Sequence, residues 1–96
     1  QKMTIAELNG NNTYVDMQYE GVEITGVASH IDGKSFYLFS ENDEREYSFI
    51  NGDNIETPSV NEIVTIKGIV LAVPGHGDYL IAAQEIEMTG KYVNGN

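Results

Sequence analysis

The sequence predicts a mainly β domain, a small closed barrel of five strands preceded by one short helix. Two β-branched stretches, residues 22–28 and 64–70, alternate apolar and polar residues up to a single glycine. Alternation is typical of a strand with one buried face, and a glycine inside it marks a bulge, a bend or a close backbone approach. Long strands that each bend once suit a small closed barrel. The length of 96 residues suffices for one modest core.

Charge is the sharpest constraint on function. The chain has 5 Lys and Arg residues against 15 Asp and Glu residues, which gives a formal net charge of −10. Nucleic-acid affinity rests largely on cations that neutralise phosphates, so this surface is expected to repel a polyanion. The absence of cysteine excludes disulfides, thiolate metal sites and thiol catalysis. No apolar run reaches the roughly 18 residues of a membrane-spanning helix.

Residues 1–21 are predicted to form a short N-terminal helix and an extension. Thr4 and Glu7 have the spacing of a capping box, and Asn9-Gly10 is a suitable stop. Within residues 13–20, apolar and polar side chains alternate, which favours a strand, although two of the apolar side chains would also share a helical face. The choice between helix and strand stays open for this segment.

The barrel is predicted to occupy residues 22–88, followed by a flexible tail at residues 89–96. Asp32-Gly33, flanked by apolar runs, is predicted to form the two central residues of a hairpin turn, both at positive φ. Residues 51–61 are rich in turn formers and link the third strand to the fourth. The five strands are predicted at residues 22–31, 35–40, 45–50, 63–73 and 79–88.

Five strands, two of them bent, with a longer link between the third and fourth, match the oligonucleotide/oligosaccharide-binding (OB) fold, a five-stranded Greek-key barrel. Residues 19–28 (Tyr-Glu-Gly-Val-Glu-Ile-Thr-Gly-Val-Ala) resemble the first strand of bacterial OB-fold domains of the tRNA_anti-like family. Residues 61–68 (Asn-Glu-Ile-Val-Thr-Ile-Lys-Gly) resemble the fourth strand of the same family, with Asn-Glu in place of its usual Gly-Asp. The resemblance covers roughly residues 4–88, and its motifs specify a barrel and no activity.

This resemblance implies an exported or lipoprotein-associated bacterial protein of uncharacterised function. The family name suggests nucleic-acid binding, but this chain lacks the basic residues that such binding needs. The chain begins with Gln1 and not with methionine, so we expect a fragment or a processed form from which a signal peptide has been removed. The expected location is the periplasm or the cell envelope, with a cytoplasmic location left open.

The OB fold usually binds ligands across strands 2 and 3, beside the loops that join strands 1 to 2 and 4 to 5. We expect Phe36 and Leu38 to face inward, and Tyr37 and Phe39 to face outward. On the third strand, the aromatic residues at positions 47 and 49 (Tyr47 and Phe49) are expected to face inward. Outward aromatic rings could stack on bases or sugar rings. The alternative is that they pack against the N-terminal helix or a partner subunit.

The loop at residues 74–78 is the predicted connection of strands 4 and 5. Glycines on both sides of His76 would let that histidine move and let a ligand approach the backbone, although a flexible hairpin with a solvated histidine is the simpler interpretation. The candidate ligand-binding residues of the chain are Tyr37, Phe39, Arg45, His76 and Tyr79.

Neither a metal nor a cofactor is predicted. The histidines at positions 30 and 76 have no third ligand at a recognisable spacing. An acidic cluster at residues 41–46 offers the oxygen ligands that calcium prefers, but it lacks the EF-hand pattern and is more typical of a solvated turn. The sequence also contains no catalytic motif for a nucleophile or a phosphate loop. We therefore expect a protein that is not an enzyme.

The sequence favours a non-catalytic OB-fold binding or interaction module of an exported bacterial protein. Its partner is expected to be a protein, a saccharide or another ligand that is not a polyanion, because the surface is acidic and the cations are scattered. The alternative is single-stranded nucleic-acid binding through the strand 2–3 face. An oligomerising role that buries the same aromatic residues also remains open.

Overall fold

A computed structural model describes residues 1–72 and 78–93 of the chain. Two short helices, α1 and α2, flank one turn of 3-10 helix, and five strands, β1 to β5, follow. The helical elements are α1 at Ile5–Asn9, the 3-10 turn at Gly10–Asn12 and α2 at Thr13–Asp16. The strands are β1 at Gly21–Asp32, β2 at Ser35–Ser40, β3 at Asp43–Asn51, β4 at Glu62–Leu71 and β5 at Leu80–Lys91.

The five strands close into one barrel in the order β1-β2-β3-β5-β4. All neighbouring pairs are antiparallel except β3 and β5, which are parallel and joined by only two residue pairs, Ile50 with Ile81 and Asn51 with Ala82. The fourth strand returns to lie beside the first, as in a Greek key. The predicted fold class, a five-stranded OB barrel with a short N-terminal helix, is confirmed.

The two strand glycines lie where neighbouring backbones approach closely. A Cβ atom on Gly68 would lie 2.5 Å from the carbonyl oxygen of Ala82, and one on Gly26 would lie 2.6 Å from that of Phe39. The pairing of β4 with β5 also shifts by one residue next to Gly68, which marks a β-bulge. The prediction that these glycines mark bulges or close approaches is therefore confirmed.

Inward-facing side chains of all five strands fill the barrel, and α1 covers one end of it. The capping box forms as predicted: the Thr4 hydroxyl accepts from the Glu7 amide at 2.9 Å, and the Glu7 carboxylate accepts from the Thr4 amide at 2.8 Å. From α1, Ile5 and Leu8 are buried against the barrel core. The largest buried strand residues are Phe36, Ile24, Leu38, Ile50, Ile66 and Ile81.

Residues 13–20 form no strand, and the alternation that favoured one is misleading. Tyr14 and Met17 pack against the core, whereas Val15 between them is 62% exposed. A spacing of three between packed residues fits the helical turn α2 and not the two-residue period of a strand.

The turn between β1 and β2 is shifted by one residue from its predicted position. Asp32 is the last residue of β1 and pairs with Ser35, so the two turn residues are Gly33 and Lys34. Of these residues only Gly33 has positive φ, at 62°. The prediction of two positive φ angles in an Asp-Gly turn was therefore wrong, because the strand pairing extends through Asp32. Strand β5 runs to Lys91, three residues beyond its predicted end.

Candidate ligand-binding face

The outer side of strands β2 and β3 carries four aromatic side chains. Tyr37 pairs with Phe49, and Phe39 pairs with Tyr47. Residues directly opposite in an antiparallel pair share one face of the sheet. Because Phe36, Leu38 and Ile50 are fully buried in the core, the face that carries these four aromatic residues is the outer one.

Three of these residues form a cluster with a histidine from β1, and we call Tyr37, Tyr47, Phe49 and His30 the aromatic face. The rings of Tyr37 and Tyr47 are stacked with centroids 5.4 Å apart and planes 9° from parallel. Phe49 meets Tyr37 edge-on at 5.4 Å, and His30 lies 5.6 Å from Tyr37. Tyr37 and Tyr47 are 37% and 51% exposed, so the stacked pair presents ring surface to solvent.

The prediction that Tyr47 and Phe49 face inward was wrong. The inward positions of β3 are Ser48 and Ile50, which are 2% and 0% exposed. Ser48 is stable in the core because its hydroxyl lies 2.6 Å from that of Tyr79, so a buried polar group is satisfied. The prediction that Tyr37 faces outward agrees with its exposure.

A three-residue bulge interrupts the pairing of β3 with β2 and includes an acidic residue, Glu44. Phe39 pairs with Tyr47, but the next residue of β2, Ser40, pairs with Asp43. Residues 44–46 therefore have no partner on β2, and bulges of this kind redirect side chains. Glu44, the first residue of the bulge, lines a surface pocket together with Phe39.

Arg45 lies in the same bulge and is engaged locally. Its Nε and Nη2 atoms donate to the two carboxylate oxygens of Asp43 at 3.0 and 3.1 Å. This pairing holds the pKa of the Asp43 carboxyl below its usual value and raises the pKa of Arg45. The candidate Arg45 is thus exposed, but its charge is balanced within its own turn.

The surface pocket next to the aromatic face has a volume of about 350 Å³. We call it the Phe39 pocket, and it is lined by Ser29, His30, Phe39, Glu44, Asn61 and Tyr92. Tyr92 follows β5, and its amide donates to the carbonyl of Asn61 at 2.8 Å. The rings of Phe39 and Tyr92 meet at 87° with centroids 5.8 Å apart, so they form a corner. Phe39 faces outward as predicted, but it packs against Tyr92 and is only half-exposed.

Two residues of the Phe39 pocket have left-handed backbone conformations. His30 has φ of 52° and Asn61 has φ of 72°, a region that side-chain-bearing residues rarely adopt. The His30 Nδ1 atom lies 2.8 Å from the Ser29 hydroxyl. Such conformations are held by their surroundings and often occur at ligand sites.

Tyr79 is buried, so the structure separates this candidate from the aromatic face. Its exposure is 7%, and its hydroxyl donates to Asn9 Oδ1 at 2.5 Å while accepting from Ser48. The Asn9 amide in turn donates to Glu46 and to the carbonyl of Tyr47, each at 3.1 Å. Burial raises the pKa of the Tyr79 phenol to about 12, although the hydrogen bond from Ser48 lowers it. This chain of bonds joins α1 to β3 and to the start of β5.

His76 lies outside the described residues. Among residues 1–72 and 78–93, no three His, Asp or Glu side chains are grouped in a way that could hold a metal ion. In the same part of the chain, no helix has the length and apolar character needed to cross a membrane.

Four residues of this region were not among the predicted ligand-binding residues: Tyr47, Glu44, Asn61 and Tyr92. The signal for Tyr47 was present, because the strand 2–3 pairing places one aromatic residue opposite another. No local pattern could have found the other three, since a bulge and two distant segments bring them together.

Comparisons with solved structures agree on the fold. The structure described as OBody AM1L10 bound to hen egg-white lysozyme is 18% identical, with a TM-score of 0.63 and coverage of 93% of each chain. The hypothetical protein ygiW from E. coli is 13% identical, with a TM-score of 0.61, covering 93% of this chain and 90% of that one. Asparaginyl-tRNA synthetase from Pyrococcus horikoshii is 14% identical, with a TM-score of 0.64; the match covers 95% of this chain and 23% of the synthetase. No protein-family model and no curated protein matches the sequence.

Proposed function

We propose that this chain is a non-catalytic binding module of an exported bacterial protein, and that its aromatic face receives a protein or saccharide partner. The observation that carries the proposal is the stacked, exposed pair Tyr37 and Tyr47 on the outer side of β2 and β3. This side of an OB barrel is the usual ligand-binding side. Exposed tyrosines supply a large contact area at a low cost in conformational entropy.

The charge distribution favours a partner that is not a polyanion. The chain carries a net charge of −10, and its cations are distributed along the sequence. Arg45 is paired with Asp43, and Lys67 lies 4.0 Å from Glu85 on another part of the barrel. Phosphate binding needs cations beside the stacking rings, and neither Arg45 nor Lys67 belongs to the aromatic face.

The proposal of a non-catalytic role rests on the surroundings of His30. The Ser29 hydroxyl and His30 have the spacing of a nucleophile and a base, at 2.8 Å. A catalytic triad also needs a third group that orients the histidine. Within residues 1–72 and 78–93, no carboxylate is hydrogen-bonded to His30.

One protein of similar fold supports the binding part of the proposal. OBody AM1L10, which shares this barrel shape, is bound to a protein in its structure. The exported location is proposed on the sequence resemblance to the tRNA_anti-like family alone.

Single-stranded nucleic-acid binding is the second candidate. Exposed tyrosine rings stack on bases with about 1–3 kcal/mol per base, and the part of a tRNA synthetase that this chain matches, 23% of that protein, shares the fold. Oligonucleotide binding through this face would weaken steeply as salt is added.

An NMR titration of the isotope-labelled chain can test these two candidates. The probes are oligothymidylate and a series of neutral oligosaccharides, each at low and at physiological ionic strength, and a peptide array identifies protein-type ligands. We expect a neutral saccharide or a peptide to shift the β2 and β3 amides, and oligothymidylate to leave them unchanged. Saturable, salt-sensitive binding of oligothymidylate would establish the second candidate and overturn the first.

Two variants locate the contact. Tyr47→Ala should weaken ligand binding about ten-fold or more, as expected for the loss of one stacked ring. Tyr19→Asn is the matched control, because Tyr19 is 71% exposed, and asparagine tolerates its φ of 67°. Equal binding by the two variants would show that the aromatic face is not the contact.

A further inference from the structure

The Phe39 pocket has the composition of a site for a positively charged group. Phe39 and Tyr92 form two perpendicular aromatic walls, and Glu44 also lines the pocket. Ring faces attract ammonium and guanidinium groups, and aromatic corners of this kind bind such cations in other proteins. Ser29 and Asn61 add oxygen atoms that can accept hydrogen bonds from the same group.

We propose that the Phe39 pocket binds a lysine or arginine side chain from a basic segment of a partner protein. The proposal rests on the binding role of the aromatic face and names the chemistry of the partner. A volume of about 350 Å³ is ample for one long side chain. His30 belongs to both the pocket and the aromatic face, so the two surfaces are continuous.

Charge complementarity is the reason to choose a basic protein segment as the occupant. The chain carries 15 acidic residues against 5 basic ones, so its net charge favours cationic partners. The basic residue nearest to Glu44 in sequence, Arg45, directs its guanidinium to Asp43. Glu44 is exposed and forms no ion pair among the described residues, so its charge remains available to a partner.

The experiment uses two peptides of identical length that differ in charge, and the full 96-residue chain. The first is a blocked glycine–serine peptide with interspersed lysine and arginine, and the second replaces these residues with acetyl-lysine and citrulline. Calorimetry measures affinity, and NMR shifts locate the contact. We expect the charged peptide to bind and to shift His30 and Tyr92, and the neutral peptide to bind at least about five-fold more weakly.

Matched variants separate a site from general attraction. Glu44→Gln should weaken binding of the charged peptide about five-fold, whereas Glu41→Gln, which removes the same charge from the neighbouring turn, should change it less than about two-fold. Tyr92→Leu should weaken binding, and Tyr92→Phe should retain it, because a phenylalanine ring preserves the aromatic wall.

Three results would overturn the inference. Equal losses in Glu44→Gln and Glu41→Gln would show that attraction is diffuse. Equal binding of the charged and the neutral peptide would show that no cation is recognised, and lack of binding by the charged peptide would exclude the site. In any of these cases, a neutral ligand whose binding is lost in Tyr47→Ala would leave the proposed function of the aromatic face in place. If no neutral ligand lost its binding in Tyr47→Ala either, both this inference and the proposed function of the aromatic face would be refuted.

Discussion

Removing the Tyr79 hydroxyl should destabilise the protein markedly, although the change deletes only one atom. In Tyr79→Phe, Asn9 Oδ1 loses its donor and the buried Ser48 hydroxyl loses its acceptor. An unsatisfied buried polar group costs about 1–3 kcal/mol. Because Asn9 keeps its bonds to Glu46 and Tyr47, we place the loss of unfolding free energy at about 2 kcal/mol. For a domain of this length, that loss lowers the Tm by about 10 °C.

Urea unfolding followed by circular dichroism measures this loss. A lower midpoint with an unchanged slope would show that stability alone has changed. Tyr19→Phe is the control, since this tyrosine is largely exposed. A loss below about 0.5 kcal/mol in Tyr79→Phe would refute the argument, because surface substitutions commonly cause changes of that size. The double variant Ser48→Ala/Tyr79→Phe should lose less than the sum of the single losses, since the two hydroxyls share one bond.

Three further predictions concern stability. The pKa of Tyr79 is about 12 in the folded chain and about 10 when unfolded, so its protonated form stabilises the fold fully below pH 10. That contribution, about 2–3 kcal/mol, should be lost between pH 10 and pH 12. Urea titrations across this range should show a larger loss in wild type than in Tyr79→Phe; equal losses would contradict the prediction. Gly68→Ala should lower the Tm, at a cost of about 1–3 kcal/mol, because its Cβ would collide with the Ala82 carbonyl. Gly10→Ala, where nothing lies within 4 Å of the new Cβ, should leave the Tm nearly unchanged, and equal losses would refute the steric argument. Thr4→Ala should cost about 1 kcal/mol through the lost cap of α1, with Thr4→Ser retaining most of the stability; equal stability of the two variants in urea would argue against capping.

Local signals in the sequence predicted most of the fold. The alternating stretches with Gly26 and Gly68, the Thr4 capping box and the limits of β2 all follow from the spacing of nearby residues. The choice between helix and strand stayed open at residues 13–16, because four residues can fit both periods. The structure has the helical turn, and the packing of Tyr14 against Tyr79, with ring centroids 4.8 Å apart, stabilises it.

The candidate site was less predictable because distant segments build it. No local propensity predicts the bulge at residues 44–46, although this bulge determines where Glu44 lies. Ser48 faces inward because it pairs with the buried Leu38. Its hydroxyl is satisfied there by Tyr79, a residue 31 positions away that no pattern within β3 indicates. The outward position of Tyr37 could be predicted from alternation alone, whereas binding of a ligand to Tyr37 remains a prediction.

The short parallel junction between β3 and β5 has a consequence for how the barrel forms and opens. Antiparallel β4 and β5 share ten residue pairs, whereas β3 and β5 share two. The junction joins segments about thirty residues apart, and ordering the intervening chain costs entropy before any contact forms. We therefore expect the barrel to close there last during folding and to part there first in native-state hydrogen exchange, with β4 and β5 still paired. The Ser48–Tyr79 hydrogen bond connects β3 to the residue that precedes β5, and it therefore stabilises this junction.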